Sequence, residues 1–324
     1  MEAGLEVVIV HHRTPALLRD TLARLAEHAA ERPVTVVDTA PDPELPAHLA
    51  RAHPRLRWLP APNHSYAHAV NLGLKATTAP LVATMNADVL VGPRTLADLT
   101  APFADPAVAL AGPVARTAAG RVQDQGLPYR VHLARLRLRA AAGPADGRPA
   151  PWVPVPWLSG CLLVVRRTAV ARVGGMDGRL RFYNEDLEWG LRVRAAGWRC
   201  AWVATEVVHL GGIATPPDGR FLLEGLRGGY ALTRRHAPPW MRVAHRWAVA
   251  AAAHGAAALA RDPARRADWR EVGRRFARAE LDASPFGATL SGPARAGATD
   301  DGRCAAPPDP ATDPLRQRRA RGAR

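Results

Sequence analysis

Short apolar runs alternate with amphipathic segments in the first part of this 324-residue chain, and this alternation limits the folds it can adopt. Leu5–Val10 is continuously apolar, and the segment that Pro15 opens repeats leucine at helical spacing. Val34–Val37, Leu56–Leu59 and Pro80–Met85 repeat the strand pattern, with helical segments between them. The pattern predicts an α/β fold with a mainly parallel central sheet, right-handed crossovers and helices on both faces.

Polar residues follow three of these predicted strands. His11, Asp38 and Asp88 each stand at or just beyond the end of a strand. Sheets of this kind bind ligands beyond the carboxyl ends of their strands, so the three side chains are expected at one rim. Turn formation explains any single aspartate after a strand equally well. Three independent strands that deliver polar groups to one edge favour a ligand site.

Two adjacent carboxylates open a predicted helix further along the chain. Asn184 is a suitable N-cap for a helix that begins with Glu185 and Asp186. Acidic residues in a first helical turn also complement the helix dipole, which is the alternative explanation for the pair. The glycine-rich and aromatic approach over residues 174–183, and His209 one strand later, favour a loop beside a pocket.

The pattern changes twice after the first strands. Between Thr117 and Pro156 polar, proline and glycine residues are frequent, and a long mobile loop over the site is expected there. Residues 1–220 are assigned to one α/β domain. Arginines then interleave with alanine, leucine and tryptophan, which predicts a basic helical extension over residues 221–283. Residues 284–324, with a terminal arginine cluster, are expected to be disordered.

The formal net charge of +15 raises the question of a polyanionic partner. Lys75 is the one lysine among 44 basic residues, and such a composition is typical of a GC-rich coding sequence. No nucleic-acid-binding module is recognisable, so no specific nucleic acid is expected as a partner. The basic C-terminal segment suits an anionic membrane surface. The alternative is a solvated helical appendage packed on the domain.

Cysteine usage and apolar runs indicate the compartment. Cys161, Cys200 and Cys304 show no metal-ligand or redox spacing, and their odd number argues against a disulfide framework. The first residues lack the charged start and apolar run of a signal peptide. The longest apolar stretch, Trp247–Ala260, is too short for a membrane span. We therefore expect a cytoplasmic protein without a transmembrane helix.

Asn86–Asp88, Glu185, Asp186 and His209 together suit chemistry on a diphosphate. A carboxylate at a strand end and an imidazole can hold Mg²⁺ or Mn²⁺ with positions left for diphosphate oxygens, and the cation then stabilises a leaving diphosphate. A separate carboxylate across the pocket can take the proton from an attacking acceptor hydroxyl. Asp186 is the candidate for this general base.

Seven motifs occur in an order and spacing that resemble a known enzyme family. They are Val10-His11-His12 after the first strand, Asp38, Asn63-His64-Ser65-Tyr66-Ala67 with Asn71 and Gly73, Asn86-Ala87-Asp88, Trp157–Gly160, Glu185-Asp186, and His209–Gly212. The chain resembles the inverting nucleotide-sugar glycosyltransferases of family 2, which have the GT-A fold, and is most similar to their bacterial rhamnosyltransferases. Three departures from the family pattern are Ser65 for glycine, His12 for an aromatic residue, and Asn86 for the first aspartate of the metal motif.

The resemblance implies a role for each motif residue. Asp186 is the general base, and Glu185 orients it or contacts the acceptor. Asp88 and His209 hold the divalent cation. The residues implied to line the nucleotide-sugar are Val10, His11, His12, Asp38, Asn63, Tyr66, Asn71, Asn86 and Ala87.

The resemblance also implies substrates. The first expectation for the donor is dTDP-rhamnose, with UDP- and GDP-sugars as alternatives. A lipid-linked glycan of the cell envelope is the expected acceptor, which places the enzyme at the inner face of the plasma membrane; a small-molecule aglycone is the alternative. A catalytically silent protein that still binds the nucleotide-sugar is a further alternative, prompted by Ser65 and Asn86.

Overall fold

The computed structural model describes residues 4–41, 45–50, 53, 55–123, 150–211, 219–287 and 290. The strands are β1 Leu5–His11, β2 Val34–Asp38, β3 Leu56–Pro60, β4 Leu81–Asn86, β5 Val89–Leu90, β6 Val108–Arg116, β7 Trp152–Val155, β8 Leu162–Arg166 and β9 Arg199–His209. The helices are α1 Pro15–Ala29, α2 Leu45–Ala50, α3 Tyr66–Ala76, α4 Thr95–Thr100, α5 Arg167–Val173, α6 Glu185–Ala195, α7 Gly219–His236, α8 Pro239–Leu259 and α9 Pro263–Arg278.

Within these residues the nine strands form one sheet, in the order β3-β2-β1-β4-β8-β6-β9-β5, with β7 paired to β9. The expected parallel arrangement is confirmed for β3, β2, β1 and β4. The other half is mixed. Strand β8 starts at the edge where β4 ends, with Leu162 opposite Met85, and therefore runs antiparallel to both β4 and β6. The sheet is thus mixed rather than mainly parallel.

Apolar side chains fill both faces of the sheet. Val7 and Ile9 of β1 belong to one buried layer, and Val8 between them belongs to the layer on the opposite face, as the two-residue period of a strand requires. Helix α3 packs so closely on β1 that a Cβ on Gly73 would lie 2.2 Å from Val8 Cγ1. Only glycine fits there. Ser65 caps the same helix by accepting a hydrogen bond from His68 N at 3.0 Å.

The expected loop over residues 117–156 is described only at its two ends. Gln123 N donates to Ala115 O at 2.9 Å, which folds the first end back onto β6. At the other end, β7 forms an antiparallel edge strand on β9, so Trp152–Val155 is not loop. The sequence concealed this strand because Pro154 interrupts it, and proline is tolerated at a sheet edge. Residues 124–149 lie outside the described residues, and a mobile loop there stays a prediction.

The three C-terminal helices form a small core of their own. It contains six buried apolar residues: Leu223, Ala250, Ala253, Val272, Phe276 and Leu281. The chain bends between α8 and α9 because Asp262 Oδ1 caps α9 by accepting a hydrogen bond from Ala264 N at 3.0 Å, and Pro263 follows as the first helical residue. None of the described helices combines the length and the apolarity that crossing a membrane requires. Residues 212–218 and 291–324 lie outside the described residues.

A buried ion pair within α7 connects these helices to the α/β part through a backbone amide. Arg227 pairs with Glu224 at 2.9 Å, and both side chains are inaccessible to solvent. Glu224 Oε1 also accepts a hydrogen bond from Arg181 N at 3.0 Å. A buried charge is stable only when it is paired and hydrogen-bonded. The pair therefore fixes α7 against the loop that leads into α6.

Candidate active site

The strand register brings the predicted polar residues to one rim. His11 is the register partner of Asp38, and Val10 is the register partner of Asn86. Strand β5, which follows β4 after two residues, places Val89 opposite His209. The ends of β1, β2, β4 and β9 therefore meet, and His11, Asp38 and Asp88 lie along the same edge as the sequence predicts.

The first two strand ends form a buried pair. His11 Nδ1 lies 3.0 Å from Asp38 Oδ1, and both residues are almost fully buried. His11 Nε2 accepts a hydrogen bond from Thr14 N at 3.1 Å. The imidazole proton therefore resides on Nδ1 and is donated to Asp38. Among the described residues, Asp38 Oδ2 is buried without a hydrogen-bond partner, which leaves a strong acceptor for a ligand.

Two predicted nucleotide-lining residues flank this pair. His12 Nδ1 lies 3.0 Å from Thr39 Oγ1, and that hydroxyl donates to His11 O at 3.0 Å. Burial, with the neighbouring Arg13 guanidinium, lowers the pKa of His12. Asn63 is exposed just before α3. Both side chains thus border the rim from the solvent side.

Asn71 is placed differently from the expectation. Its Nδ2 donates to Met176 O at 2.8 Å, and its Oδ1 accepts from Met176 N at 2.9 Å. A Cβ on Gly175 would lie 2.0 Å from Asn71 Oδ1. Both polar atoms of the amide are therefore bound to the backbone of the 174–176 turn. Asn71 positions this turn, and its side chain is buried rather than open to a nucleotide.

Asn86, Asp88 and His209 form a cluster at the ends of β4 and β9. His209 Nε2 lies 3.4 Å from Asp88 Oδ1 and 3.2 Å from Asn86 Nδ2. Asp88 Oδ2 accepts a hydrogen bond from Gly211 N at 3.0 Å. Ala87, between the two, is buried, and its carbonyl accepts a hydrogen bond from Thr21 Oγ1 at 2.8 Å.

The metal cluster has two candidate ligands of the usual types. Among the residues that the structure describes, no three side chains of histidine, cysteine, aspartate or glutamate come together as a metal site. Asp88 and His209 are both partly exposed, so water or a ligand can reach them. A cation held here would take its remaining ligands from outside the described residues, including water and the substrate.

Gln123 is a site residue that the sequence did not reveal. Its Oε1 accepts a hydrogen bond from His209 Nδ1 at 2.7 Å, and its Nε2 donates to His209 O at 2.9 Å. This pairing keeps the proton on Nδ1, so the Nε2 lone pair accepts from Asn86 Nδ2 at 3.2 Å and lies 3.4 Å from Asp88 Oδ1. Metal-binding histidines are commonly oriented in this way. A lone glutamine in a polar stretch carries no periodic signal by which it could be found.

Two backbone amides hold the Asp186 carboxylate. Gly160 N donates to Asp186 Oδ2 at 2.8 Å, and Leu187 N donates to Oδ1 at 2.7 Å. Burial raises the pKa of Asp186, although these amide hydrogen bonds oppose the shift. A carboxylate with a raised pKa is a stronger base.

Glu185 has a drier environment than its neighbour. It is 8% exposed, and its Oε2 has no hydrogen-bond partner among the described residues. Burial, with the Asp186 charge adding to it, raises the pKa of Glu185 to about 8. Glu185 therefore carries its proton at neutral pH, and the pair bears about one negative charge rather than two.

Gly160 and Cys161 connect Asp186 to the Asn86–His209 cluster. Gly160 N binds Asp186, and Cys161 O accepts a hydrogen bond from Asn86 N at 2.9 Å. Tyr66 Oη donates to Gly160 O at 2.7 Å. Burial raises the pKa of Tyr66 far above its ordinary value, and the charges of Asp186 and Asp88 both add to the shift. Asp186 and the Asn86–His209 cluster are thus neighbours at the start of β8.

Asn184 precedes α6 as predicted but does not cap it. It has φ 68°, in the left-handed region, and its side chain makes no capping hydrogen bond. Instead Nδ2 donates to Gly225 O of α7 at 2.9 Å. Tyr183 also has φ 68°, so two consecutive non-glycine residues in this region lead into the catalytic pair. Such a conformation persists only where the surroundings hold it.

Comparison with known proteins agrees with this geometry. The sequence matches the family described as glycosyltransferase like family 2 over residues 3–221. The N-acetylglucosaminyl-diphospho-decaprenol L-rhamnosyltransferase of Mycobacterium tuberculosis (strain CDC 1551 / Oshkosh) is 32% identical over 275 residues, which cover 76% of this chain and 89% of that protein. The enzyme of the same name from strain ATCC 25618 / H37Rv matches equally well.

Solved structures show the fold. GalNAc-T7 with UDP, GalNAc and Mn²⁺ has a TM-score of 0.59 at 14% identity, over 85% of this chain and 55% of that chain. The mannosyltransferase PcManGT of Pyrobaculum calidifontis, in complex with GDP-Man and Mn²⁺, has a TM-score of 0.53 at 22% identity, over 86% of both chains. Together with the family match, they establish that this chain is a glycosyltransferase of family 2 with the GT-A fold.

Proposed function

We propose that this glycosyltransferase moves rhamnose from dTDP-rhamnose to a hydroxyl of a lipid-linked glycan, with inversion at the anomeric carbon. The observation that carries the proposal is the connection through Gly160 and Cys161, which sets the Asp186 carboxylate beside the Asn86–His209 cluster. One side suits proton removal from an acceptor, and the other suits a leaving diphosphate. The name of the Mycobacterium tuberculosis relative supports rhamnose as the sugar and a diphosphate-linked lipid as the acceptor.

Asp186 acts as the general base in this proposal. Its two amide hydrogen bonds fix the direction of the carboxylate, and burial makes it more basic than an ordinary aspartate. It takes the proton of the acceptor hydroxyl as the oxygen attacks the anomeric carbon. The bond from that carbon to the diphosphate breaks on the opposite face, which inverts the configuration.

Glu185 keeps the site close to a single negative charge. Because burial leaves it protonated at neutral pH, it does not repel the negatively charged donor as a second carboxylate would. Its location beside Asp186 also allows it to orient the base.

Asp88 and His209 would hold a divalent cation, and Mg²⁺ and Mn²⁺ fit the donor set. Their facing atoms are 3.4 Å apart, so both could bind one ion. Gln123 presents the Nε2 lone pair of His209 for this purpose. When bound, the cation supplies positive charge against the diphosphate. The Mn²⁺ ions of GalNAc-T7 and PcManGT support the proposal at the level of the fold.

Asp38 would select the nucleotide base. Its unpartnered Oδ2 is a buried acceptor at the rim, and His11 fixes the carboxylate from the other side. The imide N–H of a thymine or uracil ring satisfies such an acceptor, whereas a cytosine ring offers no N–H at that position. This chemistry supports a dTDP or UDP donor over a CDP donor.

We place the enzyme in the cytoplasm, at the inner face of the membrane that holds its acceptor. Cys161 and Cys200 are free and buried, as suits a reducing compartment. A lipid-linked acceptor requires contact with a bilayer surface.

The direct test is transfer by the purified protein with Mn²⁺. We expect rhamnose from dTDP-rhamnose to reach polyprenyl-diphosphate-linked N-acetylglucosamine, with release of dTDP only when acceptor is present and with inverted configuration by NMR. UDP-glucose and GDP-mannose serve as comparison donors. Transfer from one of these in place of dTDP-rhamnose would change the donor, and no transfer from any would leave a protein that binds but does not react.

A further inference from the structure

The outward side of α8 is apolar along its whole length. Trp240 and Trp247, two turns apart, are 69% and 52% exposed, and Val243 lies exposed between them. Of the described residues that are exposed along this helix, His254 alone is polar, and its Nδ1 donates to Ala250 O at 2.6 Å. A contiguous apolar surface of this kind on a protein surface marks an interaction site.

The inward side of α8 shows why the outward side faces solvent. Ala250, Ala253 and Ala257 are buried against α7 and α9, and at 3.6 residues per turn they lie roughly a quarter turn around the helix from Trp240 and Trp247. The helix therefore already has its core. The tryptophans do not belong to the core of the three helices, and more than half of each side chain is exposed.

Positive charge is concentrated at the end of α8 that carries Trp240. A cavity of about 250 Å³ beside this end is lined by Arg179, Arg234, Arg235 and Arg242. Arg179 and Arg235 pair with carboxylates. In the part of the chain that the structure describes, Arg234 and Arg242 form no ion pair with a carboxylate, so their charges are available to an outside anion.

The two carboxylates that line this cavity, Asp177 and Glu188, belong to the α/β part, and the helical segment beside it has no carboxylate of its own. Residues 225–261 include six arginines and neither aspartate nor glutamate. Arg246 lies over the Trp247 ring, with its Cζ 5.1 Å from the ring centroid, so a cation accompanies the second tryptophan as well. Exposed tryptophan beside arginine is the composition of helices that lie in the interface of an anionic bilayer.

We infer that the outward face of α8 is a membrane-docking surface, on which Trp240, Val243 and Trp247 enter the headgroup region of an anionic bilayer. The inference rests on the proposed function, since a lipid-linked acceptor explains why the enzyme needs this surface. A second copy of the chain is the competing occupant. It is disfavoured because pairing two such faces would bring their unpaired arginines together without carboxylates between them.

The docked helices are also connected to the catalytic loop. Asn184 Nδ2 binds Gly225 O of α7, and a Cβ on Gly228 would lie 2.6 Å from the same atom. Helix α8 follows α7 after two residues. The bilayer surface would therefore lie on the side of the protein that carries Glu185 and Asp186, where a lipid-linked acceptor must arrive.

The test is flotation of the full chain with vesicles, without any substrate. We expect binding to vesicles of equal amounts of phosphatidylcholine and phosphatidylglycerol, and little binding to phosphatidylcholine alone. Trp240→Ala with Trp247→Ala should weaken binding at least roughly tenfold, whereas the two Phe substitutions should retain most of it. Arg234→Gln with Arg242→Gln should weaken it roughly fivefold per charge. Arg19→Gln with Arg194→Gln is the matched control for net charge.

The outcomes separate the inference from the proposed function. Binding that is unchanged in the double alanine variant, or lost equally in the Arg19 and Arg194 control, would overturn the docking surface. So would a wild-type dimer by light scattering that the alanine substitutions dissociate, because the face would then be a subunit interface. Because flotation involves no transfer reaction, vesicle binding by a protein that fails to transfer rhamnose would leave the surface intact and overturn only the donor and acceptor.

Discussion

The Asp88–His209 group and the Glu185–Asp186 pair differ in solvent exposure and in the groups that hold them. Asp88 and His209 are partly exposed; Gln123 and Asn86 contact His209, and Gly211 N donates to Asp88. Glu185 and Asp186 stand at a helix start, and backbone amides hold Asp186 there. The first group remains open to a charged ligand. In the second, Glu185 is buried and Asp186 is partly buried, and burial raises the pKa of both carboxyls.

This difference assigns the two groups to different halves of the reaction. An open carboxylate and imidazole can share a cation with diphosphate oxygens. A desolvated carboxylate is poorly suited to a hydrated cation but accepts a proton more readily than an exposed one. Gly160 and Cys161 keep the Glu185–Asp186 pair and the Asp88–His209 group adjacent but separate.

The largest expected effect is on the base. Asp186→Asn keeps the shape but cannot take a proton, and its single amide oxygen can accept from only one of Gly160 N and Leu187 N. We expect turnover to fall by about a thousandfold, since general bases contribute on the order of 10²–10⁴ in rate. The check is steady-state rhamnosyl transfer, with a melting curve to show that the variant is folded. A variant that keeps most of its turnover would remove Asp186 from the base role.

Substitutions at the proposed cation ligands should change the affinity for Mn²⁺ rather than the transfer of the proton. His209→Ala removes a proposed ligand and should raise the Mn²⁺ concentration required for half-maximal activity by at least about tenfold. Gln123→Ala removes only the hydrogen bonds that orient the His209 imidazole and should raise the required Mn²⁺ concentration less. The measurement is activity against Mn²⁺ concentration for the three proteins. An unchanged Mn²⁺ requirement in both variants would show that the cation, if used, lies elsewhere.

Substituting Asn184, in the loop before α6, should lower the free energy of unfolding. Asn184→Ala loses the hydrogen bond to Gly225 O and puts alanine at φ 68°, so we expect it to destabilise the fold by about 2 kcal/mol. Asn184→Gly loses the bond alone and should cost about half as much. Urea denaturation compares them. Equal losses in the two variants would mean that the left-handed backbone contributes nothing.

The smallest effect for each pH unit, although it accumulates over several units, is the pH dependence that Glu185 gives to stability. The folded protein keeps the Glu185 proton to about pH 8, whereas the unfolded chain loses it near the ordinary pKa of 4.5. The folded state therefore binds more protons between these values, and the free energy of unfolding falls as pH rises through them, by at most about 1.4 kcal/mol per pH unit. Glu185→Gln should remove this slope and be the more stable protein at pH 9. Parallel stability curves for the two proteins would contradict the buried, protonated glutamate.

Much of this geometry follows from local sequence pattern. Alternating strands and helices predict that His11, Asp38 and Asp88 reach one edge, and the structure places them there. The antiparallel entry of β8 was not predictable, because it depends on pairing with β4, about eighty residues away, rather than on any local signal.

The failures at single residues have the same origin. Asn71 and Asn184 were expected to contact the nucleotide and to cap a helix, which are ordinary roles for asparagine. Their actual partners, Met176 and Gly225, lie 105 and 41 residues further along the chain. Gln123 reaches His209 across 86 residues. Side-chain identity predicted that these residues make hydrogen bonds, but only the tertiary fold determines to what.

The most direct measurement of the division between the two groups is calorimetric binding of dTDP, with and without Mn²⁺, to wild type, Asp186→Asn and His209→Ala. We expect Asp186→Asn to bind dTDP with Mn²⁺ as tightly as wild type, although it turns over far more slowly. His209→Ala should lose the gain in affinity that Mn²⁺ gives. If Asp186→Asn instead loses that gain while His209→Ala keeps it, the roles assigned to the two groups are reversed and the account is wrong.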